Sequence, residues 1–201
     1  MTAALMSDMP DSPKKRPWFV PPEEGFTAED LDRIPELPRH TELIDGSLVF
    51  VSPQAYFHMV TLAVLEMVLR RLAPADRRVC REMTVTLGPQ QRLEPDILVV
   101  HAEAVIGPDL TTFQPGDVDL VVEVVSRASE VRDRERKPQL YAKAGIPHFW
   151  RVENTGGGPT VYVYELDTVT GAYTPTGIYH DRLKLSVPFD IDIDLTEIDR
   201  L

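Results

Sequence analysis

The run VDLVVEVV, residues 118–125, holds five valines, one leucine and two acids. An apolar run of this length, without alternation, suits a strand covered on both faces. PDILVV, residues 95–100, has the same character. Two such strands are typical of the centre of a sheet with helices packed on it. Glu123 sits in the middle of the longer run. An isolated buried carboxylate is costly, so it must be neutralised, paired or bound to a cation. One stretch therefore constrains the fold and poses a functional question.

The remaining pattern supplies the covering layers. TAEDLDRI reads as a short helix, with Thr27 and Asp30 spaced as a capping box and Pro35 and Pro38 ending it. TELIDGSLVFVS is a hairpin around Asp45-Gly46. Residues 55–72 carry Val60, Ala63, Val64, Met67, Val68 and Leu72, the mark of a buried amphipathic helix. VCREMTVTL alternates, with Val79, Met83, Val85 and Leu87 on one side, and is expected as a single half-buried strand. Residues 101–117 are expected as a loop with a helical turn. A helix is expected over 130–144, ending at Gly145; Pro138 either starts it or kinks it. HFWRVE, TVYVYEL and GAYTPTGIY follow as strands, the last two as a hairpin on the far edge. LSVPFDIDIDL alternates at Phe189, Ile191, Ile193 and Leu195. The expected class is α/β (α+β): a mixed central sheet flanked by helices, with an extra N-terminal hairpin and C-terminal strands.

Residues 1–25, with five prolines and a short KKR at 14–16, are expected as a flexible tail before one domain spanning 26–201. No apolar stretch approaches the length of a bilayer span, and no sustained hydrophobic segment marks the N-terminus as a signal peptide. With one cysteine, Cys80, an intrachain disulfide framework is excluded. A cytoplasmic setting is the expectation. The net charge of −11 argues against a broad nucleic-acid-coating surface. It leaves room for a local basic groove, and arginines do cluster at 70, 71, 77, 78 and 81 and at 127, 132, 134 and 136. A solvated helix end and a charged loop would account for them equally well.

Asp96 and Glu123 interrupt apolar strands. Side by side and pointing the same way, they would suit Mg²⁺, which takes hard oxygen ligands, commonly one or two carboxylates with waters and phosphate oxygens. Asp96, at the start of its strand, could equally be solvated. Taken singly, Glu42 reads as an exposed strand acid, His58 as a satisfied core or surface histidine, and Lys137, in RDRERK, as solvated surface. Asp133 reads as surface, with a helping role at the site as the alternative.

Taken together these segments resemble a known family. ELIDGSLVFVSP, His58, EPDILVV, DLVVEVVSRASEVRDRERK and LYAKAGIPHFWRVE occur in this order. The set resembles the Uma family of restriction-endonuclease-like proteins, within the PD-(D/E)xK nuclease superfamily, over roughly residues 26–198. The resemblance implies a restriction-endonuclease-like core and a metal-dependent endonuclease acting on DNA, with Mg²⁺ or Mn²⁺ held by Asp96, Glu123 and Glu42. In the superfamily pattern a lysine sits two residues after the second acid. Here Val125 stands there, and Lys137 from the following helix is the implied replacement. His58 and Ser126 would support the site, with Ser126 alternatively capping the helix start. A homodimer is implied as well. The competing reading is a non-catalytic nuclease-fold module for protein interaction or nucleic-acid binding. Retention of Glu42, Asp96, Glu123 and Lys137 favours the enzyme.

Overall fold

The computed structural model describes residues 20–156 and 158–200. KKR and most of the expected tail lie outside them. The chain runs α1 (Ala28–Arg33), β1 (Thr41–Ile44), β2 (Ser47–Phe50), α2 (Tyr56–Leu72), β3 (Arg77–Arg81), β4 (Thr84–Gly88), β5 (Gln91–Leu93) and β6 (Ile97–His101). It continues with β7 (Thr112–Phe113), β8 (Val118–Val124), a π-helical turn (Arg132–Arg136), α3 (Lys137–Lys143), β9 (His148–Asn154), β10 (Pro159–Asp167), β11 (Ala172–Tyr179), β12 (Arg182–Leu185) and β13 (Ile191–Asp194).

The two apolar runs become the neighbouring strands β6 and β8 in a six-stranded sheet of order β11-β10-β9-β8-β6-β3. The pairing of β8 with β9 is parallel, and the other pairings in this sheet are antiparallel. Ile97, Val99, Leu120, Val122 and Trp150 face one core, which α2 covers with Val60, Leu65 and Leu69. Leu98, Val100, Val121 and Phe149 face a second core with Leu140 and Tyr141 of α3. Burial on both faces explains why these strands show no period-two pattern. The mixed sheet flanked by helices matches the expected class.

The hairpin is not an isolated appendage. Asp45 and Gly46 both take positive φ, 51° and 72°, as a tight two-residue turn requires. β1 then pairs with β5, building a five-stranded sheet of order β2-β1-β5-β4-β7.

Three expectations change. VCREMTVTL is two strands, because Glu82 turns the chain with φ 52° and passes it from one sheet to the other. Val79 packs toward α2, whereas Met83, Val85 and Leu87 pack in the other core. The segment 101–117 also contributes β7, which runs parallel to β4. The helix over 130–144 changes winding: Lys137 N–H bonds to the Arg132 carbonyl, i to i+5, before ordinary α-helix resumes. Pro138 falls in the first turn of α3, where its missing N–H costs little. Gly145, φ 85°, ends that helix as expected. Among the described residues no helix is long and apolar enough to cross a membrane.

Candidate active site

The site forms where β6 and β8 end beside α3. Ile97 pairs with Val122 and Leu98 with Val121, so the antiparallel register sets Asp96 against Glu123. The parity that places Leu98 and Val121 toward α3 aims both carboxylates the same way. They line one cleft, with Glu42, His58, Asp133 and Lys137.

Lys137 lies at the centre of the cluster and is 4% exposed. Its Nζ is 3.1 Å from both oxygens of Glu123, 2.9 Å from Glu42 Oε1 and 3.5 Å from Asp133 Oδ1. Lys137 thus reaches Glu123 from the helix, 14 residues further along the chain. Glu123, 2% exposed, also accepts a 2.5 Å hydrogen bond from the Tyr141 hydroxyl. Asp96 Oδ2 accepts from the backbone N–H of Val124 at 2.6 Å, and its Oδ1 lies 3.0 Å from His58 Nε2. Glu42 Oε1 accepts from the backbone N–H of Glu94 at 3.0 Å. These contacts fix each carboxylate before any ligand arrives.

The charges do not balance within the cluster. Burial pushes the Glu123 carboxyl well above its ordinary range; Lys137 opposes this, and Asp133, Asp96 and Glu42 add to it. Burial works against the charge on Lys137, but Glu123, Glu42, Asp133 and Asp96 outweigh it and hold the ammonium's pKa well above the usual value. Asp133 is raised by burial, with Lys137 and a hydrogen bond to Ser129 pulling it down. Three carboxylates therefore contact one ammonium, with Asp96 close enough to act on it through charge.

Hard oxygen donors in excess over cations suit a divalent metal ion. Among the described residues, no three Asp, Glu, His or Cys side chains gather in a way that could hold an ion by themselves. A bound Mg²⁺ or Mn²⁺ would accordingly lean on one or two carboxylates and complete its shell with waters and substrate oxygens.

Three assignments are revised. Asp133, expected at the surface, is 1% exposed and belongs to the cluster. The charge density of RDRERK hid a signal: 133, 137 and 141 recur every four residues, as on one helical face. Tyr141 went unnoticed on the same stripe. Ser126 lines the cleft and closes the turn that leads into the helix. Its Oγ accepts from Ser129 N–H at 3.2 Å, while Ser126 N–H bonds to Ser129 Oγ at 3.1 Å. Glu42 and His58, ordinary when taken singly, are both buried and both reach the cluster. Most of the clustered arginines are held by acids or carbonyls. Arg77 pairs with Asp76 and Asp119, Arg134 with Glu130 and Glu153, and Arg136 with Asp45; Arg78 bonds to the carbonyls of Ala75 and Arg77.

Comparison with known proteins agrees with this architecture. Residues 28–196 match the model of the Uma2 family, described as "Putative restriction endonuclease". The chain belongs to this family. A crystal structure from Anabaena variabilis, described as "a putative nuclease belonging to DUF820", superposes with a TM-score of 0.68. The match covers 86% of this chain and 97% of that one at 17% identity, a likeness of fold. No curated protein matches the chain.

Proposed function

We propose that the chain is an endonuclease that hydrolyses DNA phosphodiester bonds with Mg²⁺ or Mn²⁺ held by Asp96 and Glu123, with Glu42 completing or orienting the shell. The observation that carries this reading is the buried set of carboxylates in excess over Lys137, at the end of two paired strands. When bound, the cation supplies an acidified water and a Lewis-acid contact to the phosphoryl oxygen. The chain's own part is positioning and charge. Val124 N–H and His58 orient Asp96, and Tyr141 and Lys137 orient Glu123. Lys137 keeps its proton among the acids and offsets charge that builds on the phosphate. Glu42 and Asp133 hold that ammonium in place.

The test is calorimetric titration of Mg²⁺ and Mn²⁺ into wild type, Asp96→Ala and Glu123→Ala, followed by assays on single-stranded, duplex and branched DNA. Wild type should bind the ion and cut at least one substrate, and both variants should lose both properties. A wild type that binds no divalent ion and cuts nothing defeats the reading.

The second reading is a nuclease fold that binds without cutting. The position of Lys137 between Glu42 and Glu123 favours it, since the ammonium already takes the place between the two carboxylates. DNA binding without cleavage, at any divalent ion concentration, would select it. The homodimer implied by the family resemblance is tested by sedimentation of the same samples.

A further inference from the structure

Within the arginine cluster 127–136, the partners divide cleanly. Arg134 is held by Glu130 and Glu153, and Arg136 by Asp45. Arg127 and Arg132 form no ion pair with an acid among the described residues. Both line concave surface. Arg132 lines the carboxylate cleft itself, and its buried Nε has no hydrogen-bond partner among the described residues. Arg127 is exposed and lines a neighbouring groove that shares Ser52, Pro53, Ser126 and Ala128 with the cleft and runs on to Asn154. The two concavities therefore adjoin.

The π-helical turn explains how Arg132 reaches the site. In a regular α-helix, residues 132 and 137 would point about 140° apart. The i to i+5 bond from Lys137 N–H to the Arg132 carbonyl widens the turn, so residues five apart come closer to one face. Arg132 and Lys137 thus line the same cleft, although only Lys137 is engaged by acids. A guanidinium placed beside several carboxylates yet not paired with one retains its fork of donors for another anion. Phosphate oxygens fit that fork in bidentate fashion.

We propose that Arg132 and Arg127 form a phosphate track: Arg132 takes the scissile phosphodiester in the cleft, and Arg127 takes a neighbouring phosphate of the same strand in the adjoining groove. The proposal rests on the phosphodiesterase reading and narrows its substrate to a nucleic-acid strand that extends beyond the scissile bond, rather than a mononucleotide or a cyclic nucleotide. The acids facing the groove, Glu130 and Glu153, are held by Arg134, so the lining's charges balance and Arg127 is left without an acid partner among the described residues.

Binding is measured without turnover, in EDTA. The probes are a fluorescent single-stranded deoxyoligonucleotide of about twelve nucleotides and, as a competitor, a dinucleotide with a single phosphodiester. The variants are Arg132→Ala, Arg132→Lys and Arg127→Ala. Arg71→Ala is the control, an exposed arginine on the last turn of α2 that also lacks an acid partner among the described residues and lies outside both concavities. Arg132→Ala should weaken both ligands by about 10- to 100-fold, and Arg132→Lys should recover part of the loss. Arg127→Ala should weaken the longer strand alone, and Arg132→Ala and Arg127→Ala should each reduce the salt slope for that strand by about 0.7. Arg71→Ala should leave binding unchanged, and thermal melts establish that all variants fold. The track is overturned if wild type binds neither probe, if Arg132→Ala and Arg127→Ala bind like wild type, or if Arg71→Ala weakens binding as much as they do. Binding that depends on both arginines, with no cleavage in Mg²⁺, would refute the hydrolytic reading while supporting the track.

Discussion

Strand β8 carries two acids, Asp119 and Glu123, four residues apart, and the fold treats them differently. Asp119 meets Arg77 from β3 and, at 3.1 Å, His101 from β6. Its carboxylate faces partners of opposite or neutral charge and retains 15% side-chain exposure. Glu123 is enclosed, with one ammonium to share among itself, Glu42 and Asp133. The same residue class on the same strand is thus structural where partners match it and strained where acids outnumber cations. Strongly shifted groups in a cleft mark functional sites more often than balanced pairs do.

The largest expected break between the two positions is in activity. Glu123→Gln should reduce DNA cleavage to the metal-free background, whereas Asp119→Asn should leave turnover at the wild-type level; steady-state assays in Mg²⁺ check both. Next comes Lys137→Met. It leaves buried carboxylates uncompensated and should cost about 3–5 kcal/mol of stability, read by urea unfolding. A negligible loss would mean that the ammonium does not compensate these acids.

The pH dependence sharpens the contrast. Burial and neighbouring acids raise Glu123 in the folded state above its ordinary 4.5. The folded protein therefore holds this proton more tightly than the unfolded chain. The resulting stability is fully present below the ordinary carboxylate range and is lost as pH rises through the raised folded value. Melting temperatures of the metal-free protein should fall across that window. Glu123→Gln should flatten the fall and melt higher than wild type at its upper end, pairing lost function with gained stability. Tyr141→Phe removes the 2.5 Å hydrogen bond to Glu123 and should cost about 1–3 kcal/mol. The smallest effect belongs to Asp119→Asn, which should cost about 1 kcal/mol by the same urea measurement.

Much of the fold was legible in residue order. The unbroken apolar runs announced the two central strands, Asp45-Gly46 the hairpin, and Thr27 with Asp30 the first cap. These signals are local: a period, a turn dipeptide, a capping pair. The division of VCREMTVTL was not legible, because alternation continues in the sequence while one positive φ at Glu82 redirects the chain. The short strands β5 and β7 were also missed, since two or three residues are too few to show a period.

For the site, the sequence alone singled out Asp96 and Glu123, because a carboxylate inside an apolar run conflicts with the cost of burial. It could not establish that Lys137 and Asp133 are interior, for RDRERK has the composition of solvated surface. Tertiary structure decided that. Packing α3 over β8 brought residues 14 positions apart in sequence to 3.1 Å, and the hairpin brought Glu42 to the same ammonium. The π-helical turn then brought Arg132 to the cleft. Burial is written in single strands by their own apolar neighbours. The balance of charge at one point is set by several distant elements at once, and exists only when they are packed together.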